Sequence, residues 1–226
     1  ILSSEERLIE TAAALHLLTE KEQSYSDEVV QVSFKALTDR WTAYEQKLKN
    51  FAAAAESKIH YSPFELSLLS GFQEMMKALD TAKDCLGDWL QRSERNRQFR
   101  IVLCHGKLST NHFINDKLLN LEHTVLDSPV CDLAFLIRSS VMRGVSEAED
   151  PYDWLQTYEE RFPLRKEERI LLAAYLICPE PIYRSVREYE DMTPGDSEEV
   201  STEKLEKRIL RCRELRGLAE RLLDKE

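Results

Sequence analysis

The residues best suited to chemistry fall in one short stretch of the chain, between positions 104 and 132. This stretch contains a turn-like segment, Cys104-His105-Gly106-Lys107, in a chain whose pattern is otherwise mostly helical. Polar residues on such loops are functional more often than polar residues on helix surfaces. The other candidates in the stretch are Asn111, His112, Asn120, Glu122, His123, Asp127, Cys131 and Asp132. We therefore expect any functional site to be built around this loop.

The spacing of these residues disfavours metal binding and nucleophilic catalysis. The side chains that could bind zinc lack the close paired spacing of structural zinc sites; they are Cys104, His105, His112, His123 and Cys131. Cys104 and His105 also form a poor nucleophile–base pair, because neighbours on a strand point to opposite faces. The alternative is that the two cysteines fill the core and the histidines bond to the backbone. The sequence therefore predicts no metal site.

Helical patterning surrounds the candidate loop on both sides. Apolar residues recur every three to four positions in the predicted helices, and Ser62-Pro63 and Ser201 are predicted helix starts. The predicted helices cover 3–22, 27–56, 62–90, 128–141, 152–161, 166–177, 182–189 and 201–222. The remaining predictions are a solvated connector (92–98), a strand (99–104), a hairpin (112–114 with 118–121, turning at 115–117) and a loop (191–200).

Composition excludes several classes of protein. The 226 residues carry 31 Lys+Arg against 41 Asp+Glu, a net charge of −10, which disfavours binding to nucleic acid or to an anionic membrane. The longest apolar run, residues 170–179, is too short to span a bilayer, and no leader pattern is present. The five scattered cysteines are typical of free thiols in a reducing compartment. Trp41, Trp89 and Trp154 are predicted to be core or groove wall.

With its neighbours included, the candidate loop resembles a known family. Residues 104–113 (CHGKLSTNHF) are similar to the His-Gly-Asp-x-x-x-x-Asn catalytic loop of aminoglycoside-phosphotransferase and choline-kinase-like enzymes. Residues 119–122 (LNLE) resemble the Ile-Asp-Phe-Asp metal segment of that family, and residues 128–134 (SPVCDLA) resemble its Pro-Pro-x-x-Asp-Leu-Ala helix start. Leu15-His16, Thr19, residues 62–65 and Lys107 resemble the spore-coat branch, in particular YsxE-type spore coat proteins. The resemblance covers nearly the whole chain.

The three positions that carry chemistry in the family are changed here. The resemblance places Lys107 at the catalytic aspartate, and a lysine with a pKa near its reference of about 10.4 is protonated and cannot accept the proton of the attacking hydroxyl. It places His112 at the metal-binding asparagine and Asn120 at the main metal-binding aspartate, and magnesium favours carboxylate oxygens over either. One loss could be compensated by Glu122 or Asp127, or by Asn111 if the loop shifted register. We expect three simultaneous losses to abolish phosphoryl transfer.

The residues that shape the loop are retained. These are His105, Gly106 and Asp132, the last at the start of the following helix. Two interpretations of Lys107 remain open: it is a surface lysine, or it is a tethered cation in the vacant metal position that neutralises Glu122 or a bound phosphate. Cofactor-binding residues are not indicated by the sequence.

The resemblance implies a mainly α (α+β) fold, the C-terminal lobe of a protein-kinase-like structure, with a short β hairpin at the remnant catalytic loop. Residues 1–98 form its first helical part, and 99–226 form the loop, the hairpin and the C-terminal helices. The six dispersed glycines provide no phosphate-binding loop, and no β-rich block precedes Ser3. Because the first helix resembles the inter-lobe region of the family, we expect that the small lobe lies upstream and is not part of this sequence.

Three functions are carried forward. The leading one is a catalytically inactive kinase-like protein that is synthesised in the bacterial cytoplasm and assembled into the spore coat, with other coat proteins as partners; the coat role comes only from the resemblance. It involves no cofactor, nucleic acid or membrane. The second is an active small-molecule phosphotransferase that uses ATP and magnesium through displaced ligands. The third is a nucleotide or metabolite sensor that binds without turnover.

Overall fold

The structure is a computed structural model, and it describes residues 3–96, 98–193 and 195–224. Most of the described chain is helical. The helices are α1 (Ser4–Thr19), α2 (Asp27–Glu56), α3 (Pro63–Asn96), α4 (Pro129–Met142), α5 (Pro151–Arg161), α6 (Lys166–Ile177), α7 (Glu180–Glu190) and α8 (Glu198–Leu223). Short 3-10 turns occupy Thr110–His112, Leu121–His123 and Val145–Glu147. The strands are β1 (Lys21–Ser24), β2 (Gln98–Cys104), β3 (Phe113–Ile114), β4 (Lys117–Leu118) and β5 (Val125–Asp127).

One apolar core joins these helices. The long helix α3 packs against α2, α6 and α8, and α1 packs against α5. The fully buried side chains include Leu79 and Leu86 of α3 and Leu133 of α4. The three tryptophans are buried, at 2%, 8% and 1% exposure, which confirms the prediction that they are core or groove wall.

Capping residues fix where two of the helices begin. Ser62 Oγ accepts a hydrogen bond from Glu65 N (3.3 Å), and the Glu65 carboxylate accepts one from Ser62 N (2.9 Å). Ser3 and Glu6 form the same reciprocal arrangement at α1. Each pair satisfies two backbone donors that a helix start otherwise leaves free. The predicted start at Ser62-Pro63 is therefore confirmed.

Two small antiparallel sheets support the candidate loop. β2 lies between β1 and β5, with Lys21 opposite Ile101 and Val102 opposite Asp127. β3 and β4 form the predicted hairpin, in which Asn115 and Asp116 take φ values of 49° and 59°. Both values lie in the left-handed region that a two-residue type I′ turn requires, and Asn and Asp tolerate it. The candidate loop lies between β2 and this hairpin.

Several predicted boundaries in the first half of the chain are wrong. The first helix ends at Thr19 instead of Glu22, because Lys21–Ser24 pairs with β2. The segment 92–96 continues α3 and is not a connector: a helix turn that faces solvent needs no apolar residues. The predicted connector also includes Arg97, which lies outside the described residues. The strand begins at Gln98, one residue earlier than predicted.

The second half of the chain departs from prediction most clearly at three places, and the bounds of α4, α5 and α7 differ by one or two residues. The last helix begins at Glu198 and is capped by Ser197, whose Oγ accepts from Val200 N, and not by Ser201. The hairpin strands are two residues each, because His112 and Leu121 belong to 3-10 turns. β5 was not predicted. By contrast, α6 has the predicted bounds.

The five cysteines are free thiols, as predicted, and burial raises the pKa of the Cys178 and Cys212 thiols to about 12. No helix in the described ranges combines the length and hydropathy needed to cross a bilayer.

Candidate functional site

Asp132 anchors the candidate loop to the first turn of α4. Its side chain is buried, Oδ2 accepts from His105 N (2.7 Å) and Oδ1 accepts from Gly106 N (2.9 Å). Ser128 caps the same helix by accepting from Val130 N. One carboxylate therefore holds two consecutive backbone donors of the loop, which fixes where the chain turns after β2.

A buried polar chain continues from Asp132 into the rest of the molecule. His16 Nε2 lies 3.3 Å from Asp132 Oδ2, and His16 Nδ1 lies 2.6 Å from the Tyr158 hydroxyl. All three side chains are buried, and burial raises the pKa of the Tyr158 phenol. Because a carboxylate only accepts, His16 donates from Nε2. These hydrogen bonds join α1, α4 and α5 behind the loop.

Gly106 is required by the shape of the loop. Its φ is +79°, a value that L side chains rarely adopt, and an added Cβ would lie 2.3 Å from the carbonyl oxygen of His123. The loop therefore passes directly against the segment Leu121–His123. This close approach explains the glycine on physical grounds, independently of any chemistry.

The histidines of the loop make backbone hydrogen bonds. His105 Nε2 lies 2.7 Å from the carbonyl oxygen of Leu119, and Nδ1 accepts from Lys107 N (3.3 Å). His112 Nδ1 donates to the carbonyl oxygen of Lys107 (2.9 Å), and the rings of His105 and His112 stack with centroids 5.6 Å apart. We assign these donor roles from the partners. His112 therefore closes the loop from within, which is a structural role.

Lys107 reaches across the loop to the segment that follows Asn120. The residue is exposed, and its Nζ lies 2.9 Å from His123 Nε2. Because an ammonium only donates, the imidazole nitrogen accepts. The neighbouring carboxylate of Glu122 lies 3.6 Å from the same imidazole nitrogen. The direct partner of Lys107 is thus His123, a contact that the sequence did not indicate.

The structure separates the other predicted substitutes from Lys107. Asn120 takes a left-handed conformation (φ 58°, ψ 52°) at the start of the 3-10 turn. Asn111 Oδ1 lies 3.5 Å from Nη1 of Arg143, which follows α4. Asp127 accepts from Ser128 N and lines a separate cavity of about 350 Å³ with Trp89. Of the possible substitutes, only Glu122 lies beside the Lys107–His123 contact.

One group of buried side chains has the composition of a metal site. Among the described residues, ligand atoms of His16, Cys104 and Asp132 all lie within 4.8 Å of one another. Each is already used: Cys104 Sγ lies 3.2 Å from the Ser128 carbonyl oxygen, and the other two form the hydrogen bonds described above. Burial first, and the nearby Asp132 second, raise the pKa of the Cys104 thiol, which disfavours the thiolate that metals bind. The geometry fits a hydrogen-bonded core better than a metal centre.

The fold is shared with a known class of protein. The structure is similar to that of an aminoglycoside phosphotransferase from Alicyclobacillus acidocaldarius subsp. acidocaldarius DSM 446, with a TM-score of 0.71 at 17% sequence identity. The similarity covers 96% of this chain and 65% of that one, so the chain spans about two thirds of the length of this relative. The fold is therefore that of a kinase-like phosphotransferase lobe, as predicted.

The family follows from the sequence as a whole. The family model described as "Spore coat putative kinase YutH" matches residues 2–222, and the chain belongs to that family. The predicted spore-coat branch is confirmed, through the YutH model. No curated protein matches the chain significantly.

Proposed function

We propose that this chain is a phosphotransfer-inactive member of its family that acts in the spore coat through binding rather than catalysis. The observation that carries the proposal is the position of Lys107. A cation stands where the family's base is needed, and its ammonium is held against His123. A protonated amine cannot accept the proton of an attacking hydroxyl.

The surrounding groups also support the proposal that the chain has lost magnesium binding. Asn120 is neutral, and His112 uses Nδ1 to close the loop. Asp132, the buried carboxylate of α4 that anchors the loop, already accepts from two backbone donors. Glu122 remains, but its side chain is 64% exposed and lies on the 3-10 turn. A single exposed carboxylate is a weak ligand set for a cation that usually binds carboxylates and phosphates together.

The proposed role in the coat is interaction with other coat proteins, with no nucleic acid or membrane as partner. It rests on the family, whose printed description joins the spore coat to a kinase. Such a role needs the loop to keep its shape, and the loop's anchors are intact in Asp132 and Gly106. Keeping the shape without the catalytic groups is what a binding function requires.

Calorimetric titration with ATP, with and without magnesium, tests the inactivity. It is made on this chain and on the longest natural polypeptide that contains it, with a family enzyme carrying the intact His-Gly-Asp motif as positive control. We expect no magnesium-dependent heat and no phosphate release. Magnesium-dependent binding that disappears in Glu122→Gln would overturn the proposal in favour of a phosphotransferase. Binding of ATP without turnover would instead support a sensor.

Complementation in sporulating cells tests the coat role separately. We expect Lys107→Ala and Asn120→Gly to restore coat assembly like the unchanged protein, because no chemistry is lost and glycine adopts the left-handed backbone of Asn120. Gly106→Val should fail, because its side chain meets the His123 carbonyl. Coat defects in Lys107→Ala or Asn120→Gly, with normal protein levels, would contradict a purely structural role.

A further inference from the structure

A second pocket opens on the other side of the candidate loop. It has a volume of about 630 Å³, within the range of small-molecule sites. The loop contributes Ser109, Asn111 and His112, and the opposite walls come from α4, α6, α7 and α8. It is distinct from the Lys107–His123 contact, whose residues do not line it.

The charged lining of this pocket is mainly cationic, in a chain whose net charge is −10. Four arginines line it together with one carboxylate, Glu180; the arginines are Arg138, Arg143, Arg184 and Arg208. Arg138 Nη1 lies 2.5 Å from Glu180 Oε2, and Arg184 Nη2 lies 2.8 Å from Glu180 Oε1. Burial would raise the pKa of Glu180, but Arg138 and Arg184 hold it below its ordinary value. One ionised carboxylate therefore faces two guanidinium groups and neutralises only one of their two positive charges.

The excess of positive charge persists when the immediate partners outside the lining are included. Arg208 pairs with Glu188, but Lys204 contacts the same carboxylate at 2.7 Å. Arg143 lies 3.5 Å from Glu5. The set then holds five cations, the four arginines and Lys204, against three carboxylates, which leaves a net charge of +2. Walls of low dielectric strengthen such a local field.

Two of these arginines have guanidinium donors that could bind a ligand. Arg143 contacts Asn111 Oδ1 and Glu5 Oε1 only at 3.5 Å each, and its one shorter bond is to Ser140 Oγ (3.0 Å). Arg138 has a buried Nε that finds no acceptor among the described residues. Guanidinium groups bind carboxylate and phosphate oxygens in paired geometry, which makes them suited to an anionic ligand.

Apolar side chains form a further part of the lining. Phe135, Met142 and Pro181 line the pocket, and Phe135 is 41% exposed although it belongs to α4. An aromatic side chain beside guanidinium groups suits a ligand that has an apolar body and a charged end. The volume of about 630 Å³ matches a small molecule.

We propose that this pocket binds a small organic anion, with a phosphate or carboxylate group on the arginines and an apolar or aromatic body against Phe135. The proposal goes beyond the loss of phosphoryl transfer and does not depend on it. It would remain if the chain proved to be an enzyme. ATP is itself an organic anion with an aromatic body, so magnesium-independent ATP binding that is lost in Arg143→Gln/Arg184→Gln would belong to this pocket and not to the candidate loop.

Titration calorimetry with phenyl phosphate and with benzoate tests the proposal, and benzyl alcohol serves as the neutral probe. We expect saturable binding of at least one anion below about 10 mM and none of the neutral probe. The double variant Arg143→Gln/Arg184→Gln should weaken that binding about tenfold or more. Arg161→Gln/Arg187→Gln removes the same charge from exposed positions outside the pocket and should bind as the unchanged chain does.

Three results would overturn the proposal. The first is no saturable binding of either anion. The second is equal weakening in the pocket variant and the control variant, which would mean that net charge alone attracts anions. The third is tight binding of a poly-glutamate peptide with no binding of the small anions, which would make this surface a docking site for acidic protein segments. Thermal unfolding of both double variants checks that each is folded.

Discussion

Gly106 is the residue whose identity the loop constrains most tightly. The substitution Gly106→Ala should destabilise the protein by about 2–3 kcal/mol, because it combines a positive φ with contact of the new Cβ against the His123 carbonyl. The control is Gly217→Ala in α8, where nothing lies within 4 Å of an added Cβ. That change should stabilise by about 0.5–1 kcal/mol. Urea unfolding measures both, and equal effects of the two substitutions would contradict this account of the loop.

The sequence identified the residues of the site better than it identified their partners. His105, Gly106 and Asp132 could be recognised because each belongs to a local motif. The contact of Lys107 with His123 and the position of Arg143 beside Asn111 could not, because both depend on how separate segments meet in space. Asn120 illustrates a further gap: its left-handed backbone gives an asparagine a conformational role that no motif encodes.

At the scale of the elements, a buried ion pair joins β2 to α6. Arg100 Nε donates to Glu168 Oε1 (3.0 Å), Arg100 Nη2 also donates to the Pro163 carbonyl oxygen (2.9 Å), and the guanidinium lies 3.9 Å from the ring centroid of Phe162. Both side chains of the pair are only 7% exposed. Glu168 Oε2 also accepts from Arg165 N at the start of α6. This pair thus fixes β2, the strand that leads into the candidate loop, against α6.

A double-mutant cycle tests this link. Arg100→Met leaves the Glu168 carboxylate buried without its cation and should cost about 3–5 kcal/mol. Glu168→Gln keeps an oxygen that can accept from Arg165 N, and it should relieve much of that cost when combined with Arg100→Met. We therefore expect the double variant to be more stable than the sum of the single changes predicts. Additive losses in chemical unfolding would show that the two side chains act independently.

The sequence predicted the elements unevenly, for a physical reason. α6 was predicted with its observed bounds because its apolar residues and its flanks both signal a helix. β1 and β5 were missed because strands of four and three residues carry little pattern of their own and form only by pairing with β2. β1 is also exposed along its length, which removes the alternation by which a strand is recognised.

At the scale of the whole molecule, many of the helices are connected by carboxylates that face cations. Glu74 of α3 accepts from Arg213 Nε (2.9 Å) and Arg216 Nη2 (2.8 Å) of α8. Glu180 of α7 pairs with Arg138 of α4. The pKa of each of these carboxylates is lowered from its ordinary value of 4.5. The acidic chain thus uses part of its negative charge to join its helices.

These lowered pKa values predict that the protein loses stability in acid. A carboxylate whose folded pKa lies below its unfolded pKa stabilises the fold above the unfolded value, and that contribution is lost as the pH falls through the folded value. Glu74→Gln removes one such group, whose pKa is lowered chiefly by the hydrogen bond from Arg213. The variant should be less stable by about 0.5–1 kcal/mol at neutral pH.

The difference in stability between Glu74→Gln and the unchanged protein should then shrink as the pH falls below 4.5, the ordinary pKa of this carboxyl. Urea unfolding at a series of pH values measures it. Glu10→Gln removes an exposed carboxylate of α1 that has no ion pair among the described residues, so it should track the unchanged protein at every pH. A Glu74→Gln difference that stays constant into acid would mean that Glu74 contributes through packing and not through its charge. The acid sensitivity would then have to come from the other inter-helix carboxylates.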